Sequence, residues 1–137
     1  MIHYFINDVK QTGDKIKTFL VGESQISVIA KLNKTYNPFD ITTLNPKFEF
    51  NNSVVDSFKG RKFDLIILDG SIDNTLLYKH LKLSRDLSSN QTVIVIYPFK
   101  IVNYLEVIGN ATDKLNFYTI RMVTIENNET IVWGTFI

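Results

Sequence analysis

The sequence predicts an α/β protein: a mostly parallel sheet flanked by helices, with a C-terminal antiparallel hairpin. Three observations carry this expectation. Leu65-Ile66-Ile67-Leu68 and Thr92-Val93-Ile94-Val95-Ile96-Tyr97 are short, continuously apolar runs, as strands are when both faces of their sheet are covered. Segments of helical spacing stand between such runs. Finally, residues 116–125 and 130–136 alternate on either side of Glu126-Asn127-Asn128-Glu129, the pattern of a hairpin.

Taken in order, residues 2–9 are apolar and β-rich and read as a strand, followed by the turn-like Gln11-Thr12-Gly13-Asp14 and a second strand over 16–21. Gly22-Glu23-Ser24 stops that strand, and Ile26, Ile29 and Ala30 recur at helical spacing until Asn37-Pro38. Residues 40–44 and 47–50 read as two short strands separated by Asn45-Pro46, and residues 54–58 as a short helix or turn. The basic loop Lys59-Gly60-Arg61-Lys62 leads into the first fully apolar strand. Leu76, Leu77, His80, Leu81, Ser84 and Leu87 then mark a helix, with Asp73 or Asn74 as N-cap. The strand from Thr92 is expected to stop at Pro98, and a helix over 102–108 to end at Gly109-Asn110, where a left-handed residue suits a cap.

The 137 residues fit a single domain, 1–137, and no linker or repeat interrupts them. Hydrophobic residues at 45% and charged residues at 21% are ordinary globular values, which excludes disorder, collagen and coiled coil. A net charge of +1 gives no whole-protein field for nucleic acid or an anionic membrane, so any basic site is local. The absence of cysteine removes disulfides, thiolate catalysis and cysteine-ligated metal. No run approaches the roughly 20 apolar residues of a spanning helix, and Met1-Ile2-His3-Tyr4-Phe5 lacks the basic-then-apolar order of a leader. A soluble, cytoplasmic protein without a membrane role is expected.

Ligands of open parallel sheets bind beyond the carboxyl ends of the strands, which singles out the loops 22–25, 44–45, 50–52, 69–73 and 97–100. Gly22 follows a buried strand and precedes a helix, so the backbone can turn tightly and a ligand can approach; a plain strand-to-helix turn explains it equally well. Neither a dinucleotide fingerprint nor a phosphate loop is present. Asp69 ends a buried central strand. It either faces the crevice as the working carboxylate or serves the following loop and helix as a cap. Asp64, at the other end of that strand, reads as a surface or capping acid.

The pattern resembles the class I S-adenosylmethionine-dependent methyltransferases, which share a Rossmann-like sheet. Phe19-Leu20-Val21-Gly22-Glu23-Ser24 is similar to the family's glycine-containing first motif. Phe63-Asp64-Leu65-Ile66-Ile67-Leu68-Asp69-Gly70 is similar to its fourth-strand motif, and Leu87-Ser88-Ser89-Asn90-Gln91-Thr92-Val93-Ile94-Val95 to its helix end, turn and fifth strand. The resemblance implies S-adenosylmethionine as cofactor, held by Gly22, Glu23, Ser24, Asn45, Asn52, Asp69 and Gly70, with Asp69 also the candidate catalytic residue. Ser24 stands where the family usually has a second glycine, and Asn45 where an acid usually binds the cofactor ribose. Small-molecule members commonly carry an N-terminal helical cap, for which residues 1–14 leave little room; RNA or another macromolecule is therefore the expected substrate. The two lost motif residues equally imply a non-catalytic subunit that binds and stabilises a protein partner, or a homo-oligomer.

Tyr97-Pro98-Phe99-Lys100 offers an aromatic pair and a cation at the crevice edge, suited to stacking on a base and reaching a phosphate; the alternative places Phe99 against the sheet. Lys59-Gly60-Arg61-Lys62 could hold phosphate, but it lies at the end away from the crevice, where a solvated loop is expected. His80 and His3 lack the spacing of a metal site or a triad, and convergence of Asp69, Asp73 and Glu106 on a metal is discounted, so no metal is proposed. Asp8 and Asp69 faintly suggest a phosphoacceptor receiver, which the terminal hairpin argues against. Phe99, Tyr104 and Trp133 are core or interface residues.

Overall fold

A computed structural model describes residues 2–22, 39–44, 49–125 and 129–137. Among these residues, six strands form one sheet: β1 (Ile16–Val21), β2 (Phe39–Thr43), β3 (Phe63–Leu68), β4 (Ser88–Phe99), β5 (Phe117–Thr124) and β6 (Thr130–Phe136). Their spatial order is β2-β1-β3-β4-β6-β5. The first four run parallel, β6 is antiparallel to β4, and β5 closes the edge antiparallel to β6. The α/β class, the mostly parallel sheet and the terminal antiparallel pair are those expected from the sequence. The order reverses at β1, which has β2 on one side and β3 on the other, so ligand chemistry is expected beyond the carboxyl ends of β1 and β3.

The uniform apolarity of β3 has a direct structural cause. Ile66 and Leu68 enter one core with Phe19, Leu77, Leu81, Ile94, Val107 and Val132. Leu65 and Ile67 enter a second core on the other face, with Phe5, Leu20, Val93, Ile131 and Trp133. All six β3 residues are buried. Its one acid, Asp64, is buried because it has work to do there: it accepts from the Thr12 hydroxyl at 2.7 Å and the Lys17 amide at 3.0 Å, tying the segment before β1 to the sheet.

The helices α1 (Asn52–Ser57), α2 (Asn74–Asp86) and α3 (Asn110–Leu115) pack on the first of these faces. Asn51 caps α1 by accepting from the Val54 amide at 3.2 Å, and Asp73 caps α2 through the Leu76 amide at 3.3 Å. At the other end of α2, the Lys62 ammonium donates to the Asp86 carbonyl at 2.7 Å, suitably placed for the negative end of the helix dipole.

Four sequence expectations are corrected. Residues 2–9 are not a strand but two 3₁₀ turns, Ile2–Tyr4 and Ile6–Asp8. β1 already has partners on both sides, and the apolar character of this segment reflects Phe5 packing on a sheet face, 6.4 Å from the Trp133 ring. The expected strand 47–50 lies half outside the described residues, and its described half, Glu49 and Phe50, is not strand. Phe50 is buried against Phe19 instead. Pro98 does not stop β4, which continues to Phe99; its pairing with β6 shifts register between Ile96 and Phe99, where a residue without an N–H is tolerated. The Tyr97–Pro98 peptide is cis.

The fourth correction concerns the helix expected over 102–108. A 3₁₀ turn, Ile101–Asn103, and a π-helical turn, Leu105–Gly109, run directly into α3, with Gly109 at an ordinary helical φ of −58°. Asn116, at φ 56°, is the left-handed cap. Burial explains the extension: Val107, Ile108, Ala111 and Leu115 all face the core at helical spacing. The expected helix over 26–32 lies outside the described residues.

Candidate functional site

The carboxyl ends of β1 and β3 meet at Gly22 and Asp69. The Asp69 amide donates to the Val21 carbonyl at 3.1 Å, which carries the pairing one residue beyond β3 and brings Asp69 beside Gly22. The approach is close: a Cβ on Gly22 would lie 2.5 Å from the Asp69 Cβ and 3.0 Å from its Oδ2. Gly22 also holds φ at +111°, a conformation that L side chains rarely adopt. Glycine is therefore required here twice, by conformation and by space. Gly70 is required by space, since a Cβ on it would meet the Pro98 carbonyl oxygen at 2.2 Å and press the β3 loop off the end of β4.

Asp69 is only 7% exposed. Its Oδ1 accepts from the Ser71 amide at 2.9 Å and the Ser71 hydroxyl at 2.6 Å, while its Oδ2 lies on the Gly22 side. Oδ1 thus serves the loop, and the helix cap belongs to Asp73. Ser71 was missed by the sequence reading, although an aspartate two residues before a serine is a recognisable local turn signal.

Glu23, Ser24 and Asn45 lie outside the described residues. Asn52 is exposed and opens α1, whereas Asn51 beside it spends its side chain on the cap. Tyr97 is half-buried and donates its hydroxyl to Glu129 Oε2 at 3.3 Å, and Lys100 is exposed. Burial, followed by the nearby Glu129 carboxylate, raises the Tyr97 pKa above its ordinary value. Of the two readings of Phe99, the one that packs it against the sheet agrees with the structure and the aromatic pair does not: it is 1% exposed and sits in the core, because β4 continues past Pro98 and turns this ring inward. No stacking platform of Tyr97 with Phe99 exists.

Among the described residues, no group of three or more metal-ligating side chains converges. Glu106 instead accepts from the Asn74 amide nitrogen at 2.9 Å. Asp8, the other half of the receiver suggestion, accepts from the Trp133 indole at 2.8 Å.

His80 lies behind the crevice, buried on α2 with its ring 5.3 Å from Phe50. Its Nδ1 finds no hydrogen-bond partner among the described residues. Burial, then the neighbouring Lys79 ammonium, lowers its pKa below the ordinary value, against the smaller opposing pull of Glu49 and Asp69. The folded state therefore prefers neutral imidazole. Below about pH 6.5 the unfolded chain takes up the proton first, so this contribution to stability is complete above pH 6.5 and is lost as pH falls toward the folded value. The urea midpoint is expected to drop between pH 7.5 and 5.5, and to drop less in His80→Gln. Equal drops in both proteins would show that His80 is not the group responsible.

No protein-family model matches the sequence, and no curated protein matches it. Solved structures do match in fold. A release factor-specific protein-glutamine methyltransferase from Alicyclobacillus acidocaldarius superposes with a TM-score of 0.66 at 10% identity, over 98% of this chain and 88% of its own. A precorrin-6y methyltransferase from Geobacter metallireducens gives 0.67 at 11% identity, over 98% and 85%. The phosphoethanolamine N-methyltransferase 2 of Haemonchus contortus, in complex with S-adenosylmethionine, gives 0.59 at 10% identity, over 98% and 36%. The fold is that of the class I S-adenosylmethionine-dependent methyltransferases.

Proposed function

We propose that the protein binds S-adenosylmethionine across Gly22 and Asp69 and acts as a methyltransferase on a macromolecule, with RNA as the first candidate. The observation that carries this is the apposition of Gly22 and Asp69 at the point where the strand order reverses. Gly22 supplies bare backbone there, and the crevice-facing oxygen of Asp69 supplies an acceptor for the amino group or a hydroxyl of the ligand. The donor, when bound, brings an electrophilic methyl group; the chain's contribution is to fix its orientation. Ser71 supports that role by holding the Asp69 carboxylate in one rotamer through two hydrogen bonds. The same fold in protein-directed and small-molecule methyltransferases supports the cofactor more than any one substrate.

A second reading, a non-catalytic subunit that stabilises a protein partner, is favoured by a different observation. Val102 and Leu105, just beyond the end of β4, are 83% and 82% exposed, and Ile101 beside them is 55% exposed. Such a ridge suits a protein surface better than a solvated one. Either way we place the protein in the cytoplasm; among the described residues no helix is long and apolar enough to cross a membrane.

Calorimetric titration with S-adenosylmethionine and S-adenosylhomocysteine decides between these. Saturable heat that Asp69→Ala weakens by about tenfold, the scale of one charge-assisted hydrogen bond, is the expected result. Absence of binding at millimolar ligand in the wild-type protein removes the cofactor reading and leaves the partner reading.

A further inference from the structure

The basic loop before β3 has no part in the Gly22–Asp69 site, and a cleft lies beside it. At the end of the sheet opposite Gly22 and Asp69 lies a cleft of about 250 Å³ lined by Lys17, Asp40, Thr42, Arg61, Lys62 and Phe63. Three cations there face one carboxylate. Lys17 and Asp40 sit across from each other in the β1–β2 register, yet they make no ion pair; the ion pair among the described residues is Lys79–Glu49, elsewhere.

Arg61 lies against aromatic rings. Lys59 and Gly60 both hold positive φ, 52° and 80°, and this turn carries the chain back so that the Arg61 amide donates to the Phe58 carbonyl at 3.0 Å. The guanidinium then stands 5.5 Å from the centre of the Phe58 ring and 6.0 Å from that of Phe63. The guanidinium thus lies beside two rings that stand perpendicular to each other, and its N–H fork has no protein acceptor among the described residues. Lys62 is held by its bond to the Asp86 carbonyl and has further N–H donors to offer.

We propose that this cleft is a binding site for a phosphate group. Phosphate matches a guanidinium fork bidentately, accepts further bonds from an ammonium and from the Thr42 hydroxyl, and neutralises the local excess of positive charge. The group belongs either to a small phosphorylated molecule or to a nucleic-acid backbone passing the sheet end. The site is independent of the cofactor reading, because none of its residues lies at the crevice.

The test is amide NMR of the full chain titrated with inorganic phosphate, a nucleoside monophosphate and a single-stranded oligonucleotide. Saturable movement of the Lys17, Asp40, Thr42 and Arg61 signals is expected. Affinity is expected to fall about tenfold or more in Arg61→Gln and in Lys17→Met, and to rise severalfold in Asp40→Asn, since each change alters one charge at the site. Similar affinities for phosphate and nucleotide assign a small ligand. Tighter oligonucleotide binding that weakens steeply with salt assigns a nucleic-acid backbone. Failure of all three to saturate at millimolar concentration overturns the proposal, as do shifts that persist unchanged in a folded Arg61→Gln protein. S-adenosylmethionine titration of the same variants keeps the two sites separate: Arg61→Gln is expected to leave that binding intact.

Discussion

Gly22→Ala is expected to destabilise the fold by about 3 kcal/mol and to abolish S-adenosylmethionine binding. Two costs combine. A backbone φ of +111° is rarely adopted by an L side chain, and a forced residue of this kind costs about 1–3 kcal/mol. The new methyl group would also lie 2.5 Å from the Asp69 Cβ, so the ends of β1 and β3 must separate, an overpacking cost of about 1–3 kcal/mol. The steric part sits on the Asp69 Cβ itself, so Asp69→Ala cannot relieve it but Asp69→Gly can. A double-mutant cycle of Gly22→Ala with Asp69→Gly therefore separates the two costs: the coupling energy reports the collision, and the remainder reports the backbone. An unchanged urea midpoint for Gly22→Ala would mean that β1 and β3 do not meet at this point, and the proposed crevice would lose its geometry.

The parts of this fold legible in the sequence are those where one local signal has one cause. β3 and the middle of β4 are continuously apolar because helices cover one sheet face and the N-terminal segment helps cover the other, and no surface element has that signature. Asp73 was recognisable as a cap because its side chain acts three residues along the chain. What the sequence concealed are the places where a tertiary partner decides. Residues 2–9 look β-rich because Phe5 must be buried, and a sheet face satisfies that need as well as a ladder does. Gly109 permits a helix stop, but burial of Ala111 and Leu115 beyond it keeps the helix going until Asn116. Phe99 has two readings in the sequence, paired aromatic or packed ring, because Pro98 hides the continuation of β4 that buries it.

The candidate site shows the same division. Gly22 and Asp69 could be placed at a strand end from apolar patterning alone, but their contact depends on the β1–β3 pairing, which no local signal encodes. Likewise the basic loop was visible as charge. The placement of Arg61 beside Phe58 and Phe63 was not, because it depends on a left-handed Lys59 that sequence propensity disfavours.

Phe5→Ala is expected to cost about 4 kcal/mol and to shift the fluorescence of Trp133 toward the red. Phe5 is wholly buried, and its ring meets Trp133, 1% exposed, at 6.4 Å and 58°. Three residues on, Asp8 accepts from the Trp133 indole at 2.8 Å, so the ring contact and the hydrogen bond fasten the same short segment to the same side chain. Without the Phe5 ring, the 3₁₀ turns keep only the partly buried Tyr4, Ile6 and Val9 and the Asp8 bond against this face, and water gains access to the indole. Trp133 is the only tryptophan in the chain, so its emission reports this docking without ambiguity. Asp8→Asn keeps an acceptor near the indole and is expected to change emission far less than Phe5→Ala. The affected face lies across the sheet from α2 and from the Arg61 cleft, so the folded Phe5→Ala protein is expected to retain ligand binding at both proposed sites. Emission and urea midpoint both unchanged in Phe5→Ala would show that residues 2–9 do not cover this face of the sheet.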